Sequence, residues 1–129
     1  QVIASPDLDF LQKLDCVVRD PRRRDLPAVG LQITARSTDV EKMLTTLSAL
    51  RRTRAVSRAI YLIAETEIRE SVFPLLFQLI RRAAAMDGDV MVVARLAAGI
   101  AGPSLRVSGV FALIGNVGPA AAGLKVDRR

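Results

Sequence analysis

Val29, Leu31, Ile33 and Ala35 alternate with Gly30, Gln32, Thr34 and Arg36. A period of two over this length predicts a strand with one buried face, Val29 to Arg36. Thr38 and Glu41 follow at the spacing of a capping box. There the hydroxyl takes the backbone N–H three residues on, and the carboxylate reaches back to the N–H of the cap. Val40, Met43, Leu44, Leu47 and Leu50 then fall on one helical stripe, which predicts a helix over residues 39–50. Arg51 and Arg52 close its last turn, where positive charge suits the unpaired carbonyls.

The pattern continues on both sides of this junction. Ser5 and Pro6 have the character of an N-cap and first helical residue, and Leu8, Leu11 and Leu14 carry that helix to about Cys16. Arg19 to Pro27 is a charged loop. Ala59 to Ala64 is an unbroken apolar run, expected as a central strand covered on both faces. Phe73, Leu76, Phe77, Ile80 and Ala84 form a second helical stripe, from near Ser71 to near Met86. Pro74 is tolerated there because it falls in the first turn, and Gly88 is placed to cap the end. Val90 to Leu96 is a further buried strand. Leu105 to Ile114 is another, whose alternation slips at Gly109 as a bulge would make it do. Residues 115–123 read as loop and Leu124 to Val126 as a short edge strand.

This order predicts one α+β or α/β domain over residues 1–129. It is a two-layer sandwich with helices on one face of a sheet of four or five strands. A helix-then-strand unit recurs at about 35 residues, without a repeat in the residues themselves.

Composition narrows the chemistry. The chain has 129 residues, half of them hydrophobic and a quarter charged, a globular balance. It has four Phe, one Tyr and no Trp, so the core must be aliphatic. The single cysteine, Cys16, excludes an internal disulfide and sits among Leu14, Val17 and Val18 as a small apolar side chain would. No run is long and apolar enough for a spanning helix. No secretory signal is visible, but the chain begins at Gln1, so it is expected to be a piece of a longer protein. An upstream signal or membrane anchor would then lie outside it.

The absence of histidine removes the usual general base near neutral pH, the Ser-His nucleophilic triads and metal sites built from His and Cys. Carboxylates remain. Glu65, Glu67 and Glu70 follow a buried strand, where catalytic groups sit in many α/β folds, but acidic residues also suit the opening of the next helix. Gly115-Asn116-Val117-Gly118 has the GxxG form of an RNA-clamping loop. It lacks basic neighbours and runs into Pro119, which favours a turn. No glycine-rich nucleotide motif is present. No catalytic residue, cofactor or metal is expected, and the chain reads as a non-enzyme.

The formal charge of +6 is carried in clusters, foremost Arg51, Arg52, Arg54 and Arg58. Such a cluster meets phosphates or an acidic protein, or simply decorates a solvated end. Sheet-based RNA readers need exposed strand aromatics; Tyr61 and Phe111 stand in apolar surroundings instead. Val72, Leu75 and Leu79 lie beside the main stripe of the second helix, so that helix is either fully buried or half of an interface.

The segment VGLQITARSTDVEKMLTTLSAL followed by RAIYLIAE, Val29 to Glu65, resembles in pattern the strand-helix-strand half of the ferredoxin-like domain in PilO and GspM proteins. These are assembly-platform components of pili and type II secretion systems. The resemblance implies a periplasmic, non-catalytic domain that dimerises and is held to the membrane by a segment outside this chain. The helix near Ser71 to Met86 and the glycine-rich tail depart from that pattern.

The leading expectation is therefore a non-catalytic interaction or dimerisation domain, with a second copy or another protein as partner. Its candidate surface is Arg51, Arg52, Arg54, Arg58, Val72, Leu75 and Leu79. The alternatives are a small-molecule-sensing α/β domain and a nucleic-acid binder working through the arginines. The compartment is periplasmic under the resemblance and cytoplasmic otherwise.

Overall fold

Strand-forming runs and helical stripes fold into an α+β sandwich. The computed structural model describes residues 2–3, 15–35, 40–54 and 56–114. Its strands are β1 (Val2–Ile3), β2 (Cys16–Val18), β3 (Val29–Thr34), β4 (Arg58–Ala64), β5 (Val90–Gly99) and β6 (Gly102–Ala112). They form one mixed sheet in chain order. The central strands β3, β4 and β5 are parallel, and the outer pairings β1/β2, β2/β3 and β5/β6 are antiparallel. Helix α1 (Val40–Thr53) joins β3 to β4. Helix α2 (Phe73–Ala84), entered through a 3-10 turn at Glu70–Val72, joins β4 to β5.

Alternation along the strands divides the core in two. Val29 and Leu31 of β3, Ile60 and Leu62 of β4, and Val92, Ala94 and Leu96 of β5 face α2, meeting Val72, Leu76, Leu79, Ile80 and Ala83. Ala59, Tyr61 and Ile63 of β4, with Met91, Val93 and Phe111, face the other way and meet Leu47 and Leu50 of α1. Ile60, Tyr61 and Leu62 are all at most 1% exposed, which requires cover on both faces. Each such side chain contributes roughly 1.5–3 kcal/mol relative to exposure.

The fold class is the expected one, but the helices do not share a face. α1 covers one side of the sheet and α2 the other. The strand order 3-4-5 steps in one lateral direction while the helices alternate sides. The two crossovers are therefore of opposite hand, and one of them is the rare left-handed form. β3 and β4 are also direct neighbours, Leu31 opposite Ile60. No strand is inserted between them as in a split β-α-β unit, so the ferredoxin-like part of the expectation is not the connectivity of this sheet.

Element ends shift in understandable ways. α1 runs on through Arg51 and Arg52 to Thr53, because Arg54 takes a left-handed conformation (φ 53°) and its N–H donates to the Leu50 carbonyl at 2.9 Å, closing the helix. β5 and β6 are longer than expected and close through a two-residue loop, Ile100 and Ala101. Gly102 stands at φ 119°, a value that side chains beyond glycine rarely take. The register slip falls at Ser108: Val93 pairs with Gly109 and Ala94 with Val107. Cys16 belongs to β2 rather than to a helix end. The expected helix from Ser5, Thr38 of the capping box, the Gly115–Gly118 turn and the strand Leu124–Val126 lie outside the described residues. Among the described residues, no helix is long and apolar enough to cross a membrane.

Candidate functional site

α2 is the element whose sequence demands most from its surroundings. Pro74 near its start fixes a helical φ and sacrifices an N–H that has no intrahelical partner anyway. The stripe Val72, Leu76, Leu79, Ile80 and Ala83 then turns into the core. Val72 is 2% and Leu79 5% exposed, and Leu75 is half-buried. Val72 and Leu79 of the expected surface are therefore core residues, while Leu75 belongs to neither core cluster and stays partly open to solvent. The residues that do reach solvent are Phe73 and Phe77, 42% and 48% exposed. One helical turn apart, their rings lie 6.0 Å between centroids at a 36° tilt. On the opposite side of the sandwich α1 repeats the motif with Val40 and Leu44, 57% and 48% exposed, also one turn apart.

The arginines are brought to one end of the molecule but not to one task. Arg58 is half-buried: Nη2 donates to the Met86 carbonyl at 2.6 Å, Nη1 to the Ser57 carbonyl at 3.1 Å, and Asp89 lies 3.6 Å from Nη1. It staples the start of β4 to the turn after α2. Arg51 donates from Nε to the Ala112 carbonyl at 3.0 Å, holding the end of α1 to the end of β6. Arg52 and Arg54 are exposed. Two of the four expected surface arginines thus do structural work and two face solvent.

The acidic trio does not converge on a shared point. Glu65 accepts from Arg95 across to β5 at 2.5 Å, and Glu67 pairs with its neighbour Arg69 at 2.8 Å. Glu70 opens the 3-10 turn. Ion pairs of this exposure contribute little to stability. A shallow groove of about 360 Å³ passes between this loop and the β5–β6 hairpin, lined by Thr66, Glu67, Arg69, Ser71, Gly99 and Pro103 among others. Among the described residues no group of three or more potential ligands could hold a metal ion.

Compared with known proteins, the chain matches no family model, no curated protein and no solved structure. Its own geometry is what any functional reading stands on.

Two further features were not legible as candidates. Gln32 and Thr34, 6% and 5% exposed, sit on the face of β3 that adjoins Tyr61 on β4, with Gln32 directly opposite Tyr61. The Gln32 Oε1 is buried with no donor among the described residues. In a strand read as alternating, Gln32 belongs to the solvated face; its burial follows from cover on both sides. Cys16 is half-buried, and burial, then the neighbouring Asp15 charge, push its thiol above the ordinary range. That is the environment of an inert thiol. Asp15 accepts the Ile33 N–H at 2.7 Å, a strand-end contact rather than a catalytic one.

Proposed function

We propose that this chain is a non-catalytic interaction domain that docks through the outer face of α2, in the first instance onto a second copy of itself. The observation that carries the reading is the Phe73–Phe77 pair. In a chain with only four Phe, two lie tilted against each other in solvent while the core is mostly aliphatic, Tyr61 and Phe111 apart. Adjacent aromatic rings of this exposure are what interface cores concentrate. A two-fold axis through the helix would bring the pair onto its own copy, the isologous arrangement most common in soluble oligomers. The dispersal of the carboxylates into separate ion pairs supports a binding role over catalysis.

The resemblance of Val29 to Glu65 to assembly-platform domains rests on that segment's pattern alone. It adds the periplasm and a secretion or pilus machine to this proposal as its finer form. The test is sedimentation of the chain across a wide concentration range, beside Phe73→Ser/Phe77→Ser. Mass-action dimerisation that the double variant weakens at least tenfold supports the reading. A monomer at every concentration, or a dimer indifferent to both residues, defeats it.

A further inference from the structure

Parallel strands joined by helices send every return connection to the same end of the sheet, and here those connections are rich in arginine. β3, β4 and β5 run parallel, so Val29, Arg58 and Val90 begin at one end. The segment leading into β3 brings Arg19, Arg22, Arg23 and Arg24. The end of α1 and its turn bring Arg51, Arg52, Arg54 and Arg58, and the last turn of α2 brings Arg81 and Arg82. Ten arginines therefore share this end with four acids, Asp20, Asp25, Asp87 and Asp89. Elsewhere among the described residues, four basic groups stand against five acidic ones. The described residues are polarised along the strands, with all of their excess positive charge at one pole and a slight negative balance elsewhere.

Internal partners do not consume that charge. Arg23 pairs with Asp25, Arg58 is held by the Met86 and Ser57 carbonyls and Asp89, and Arg51 is held by Ala112. Arg22, Arg24, Arg52, Arg54, Arg81 and Arg82 are exposed, and among the described residues their side chains make no ion pair. The two helix C-termini that point to this pole carry about half a negative charge each, which together offset about one arginine. Among the described residues the exposed arginines Arg22, Arg24, Arg52, Arg54, Arg81 and Arg82 therefore leave a cationic surface.

We propose that this pole binds the phosphate backbone of double-stranded nucleic acid without reading its sequence. The cations are arginines, whose planar fork grips a phosphate through two parallel N–H bonds. Among the described residues the segments of the pole contain no Phe or Tyr, so they offer no platform for stacking unpaired bases. Among those residues its one strongly exposed large apolar side chain is Ile114, beside Arg54 and Asp89. Anchoring to a bilayer takes a broader apolar face than that. Arg81 lies one turn beyond Phe77 on the outer face of α2, so the pole borders the face assigned to the dimer, while its other arginines, apart from Arg82, stand on other segments.

The test is fluorescence anisotropy of a labelled DNA duplex titrated with the full chain at several salt concentrations. Arg52→Ala/Arg54→Ala/Arg81→Ala/Arg82→Ala serves as the altered pole. Arg69→Ala/Arg106→Ala, away from it, is the control. Circular dichroism confirms that each variant folds. The full chain should bind and lose affinity steeply between about 50 and 200 mM salt, with log K falling linearly in log salt. The fourfold variant should bind at least tenfold more weakly and show a slope shallower by about 3–4, as four lost phosphate contacts require. The control should stay within twofold. Absence of duplex binding at low salt, equal weakening in pole and control variants, or a salt slope unchanged by the four substitutions would overturn the proposal. So would phosphatidylserine vesicles or polyglutamate binding the chain more tightly than the duplex does.

Discussion

Gln32→Met should make this protein more stable. Gln32 lies opposite Tyr61 on the parallel β3/β4 pair and is 6% exposed. Its Oε1 is buried and accepts no hydrogen bond from the described residues. An amide carbonyl taken out of water without a new donor costs about 1–3 kcal/mol. Methionine keeps the unbranched shape and similar volume while removing that oxygen, and shape-conserving core exchanges are well tolerated. Part of the gain is lost with whatever solvation the amide nitrogen keeps, so the expected net effect is about 1–2 kcal/mol of stabilisation. With urea m-values of about 1–3 kcal/mol per molar, the unfolding midpoint should rise by about 0.3–2 M at unchanged m. Equilibrium urea unfolding followed by far-UV circular dichroism reads this directly. Gln32→Ala provides the comparison, since it removes the oxygen but leaves a cavity, and should fall below Gln32→Met. A midpoint lowered by Gln32→Met would refute the reasoning, because it would mean that the amide makes a bond the fold needs.

Other expectations follow from the same packing. Leu62→Ala, at a fully enclosed position under α2, should cost about 2–5 kcal/mol in urea unfolding. Leu44→Ala, on an exposed helical face, should stay within about 0.5 kcal/mol in the same assay. Arg58→Ala should destabilise by about 1–3 kcal/mol, because it orphans the Met86 carbonyl held at 2.6 Å and opens the contact between β4 and the turn after α2. Arg58→Lys should recover only part, since one ammonium cannot span the Met86, Ser57 and Asp89 positions that the guanidinium serves. Cys16 should react with a thiol reagent at mildly alkaline pH at least tenfold more slowly in the folded chain than in urea. With the folded thiol raised, its contribution to stability is full below the unfolded thiol pKa. It declines as pH climbs through the unfolded value toward the folded one, and an unfolding series into alkaline pH checks that sign.

What the amino-acid pattern revealed and what it concealed have physical causes. The apolar runs of β4 and β5 are long, β-rich and unbroken, and both were legible as strands covered on two faces. That same fact argues against packing both helices on one side, since two-sided burial needs cover on two sides. The one-faced sandwich and the two-sided strands were inconsistent expectations, and the strands were the better guide. β2 was hidden because three residues, Cys16–Val18, carry too little alternation to stand apart from a helix end. The β5–β6 hairpin was hidden because Ala97, Ala98, Ile100 and Ala101 blur the turn, and only Gly99 and Gly102 mark it.

On α2 the helical period was clear but its rotation was not. The spacing places Phe73 and Phe77 on the core stripe with Leu76 and Ile80, and Val72 and Leu79 on the flank, whereas the packing buries Val72 and Leu79 and turns the two phenylalanines to solvent. A helix apolar around most of its circumference offers several faces of nearly equal hydrophobicity, and only tertiary packing chooses among them. Charge was read as local clusters. Their gathering at one pole is a property of topology, visible only once three parallel strands are aligned.

Association through the outer face of α2 is tested most directly by sedimentation velocity on the 129-residue chain at rising concentration, repeated for Phe73→Ser/Phe77→Ser. The sedimentation coefficient should climb from monomer toward dimer for the natural sequence and stay at the monomer value for the double variant. A single monomeric boundary for both proteins, at the highest concentration that remains soluble, would contradict it.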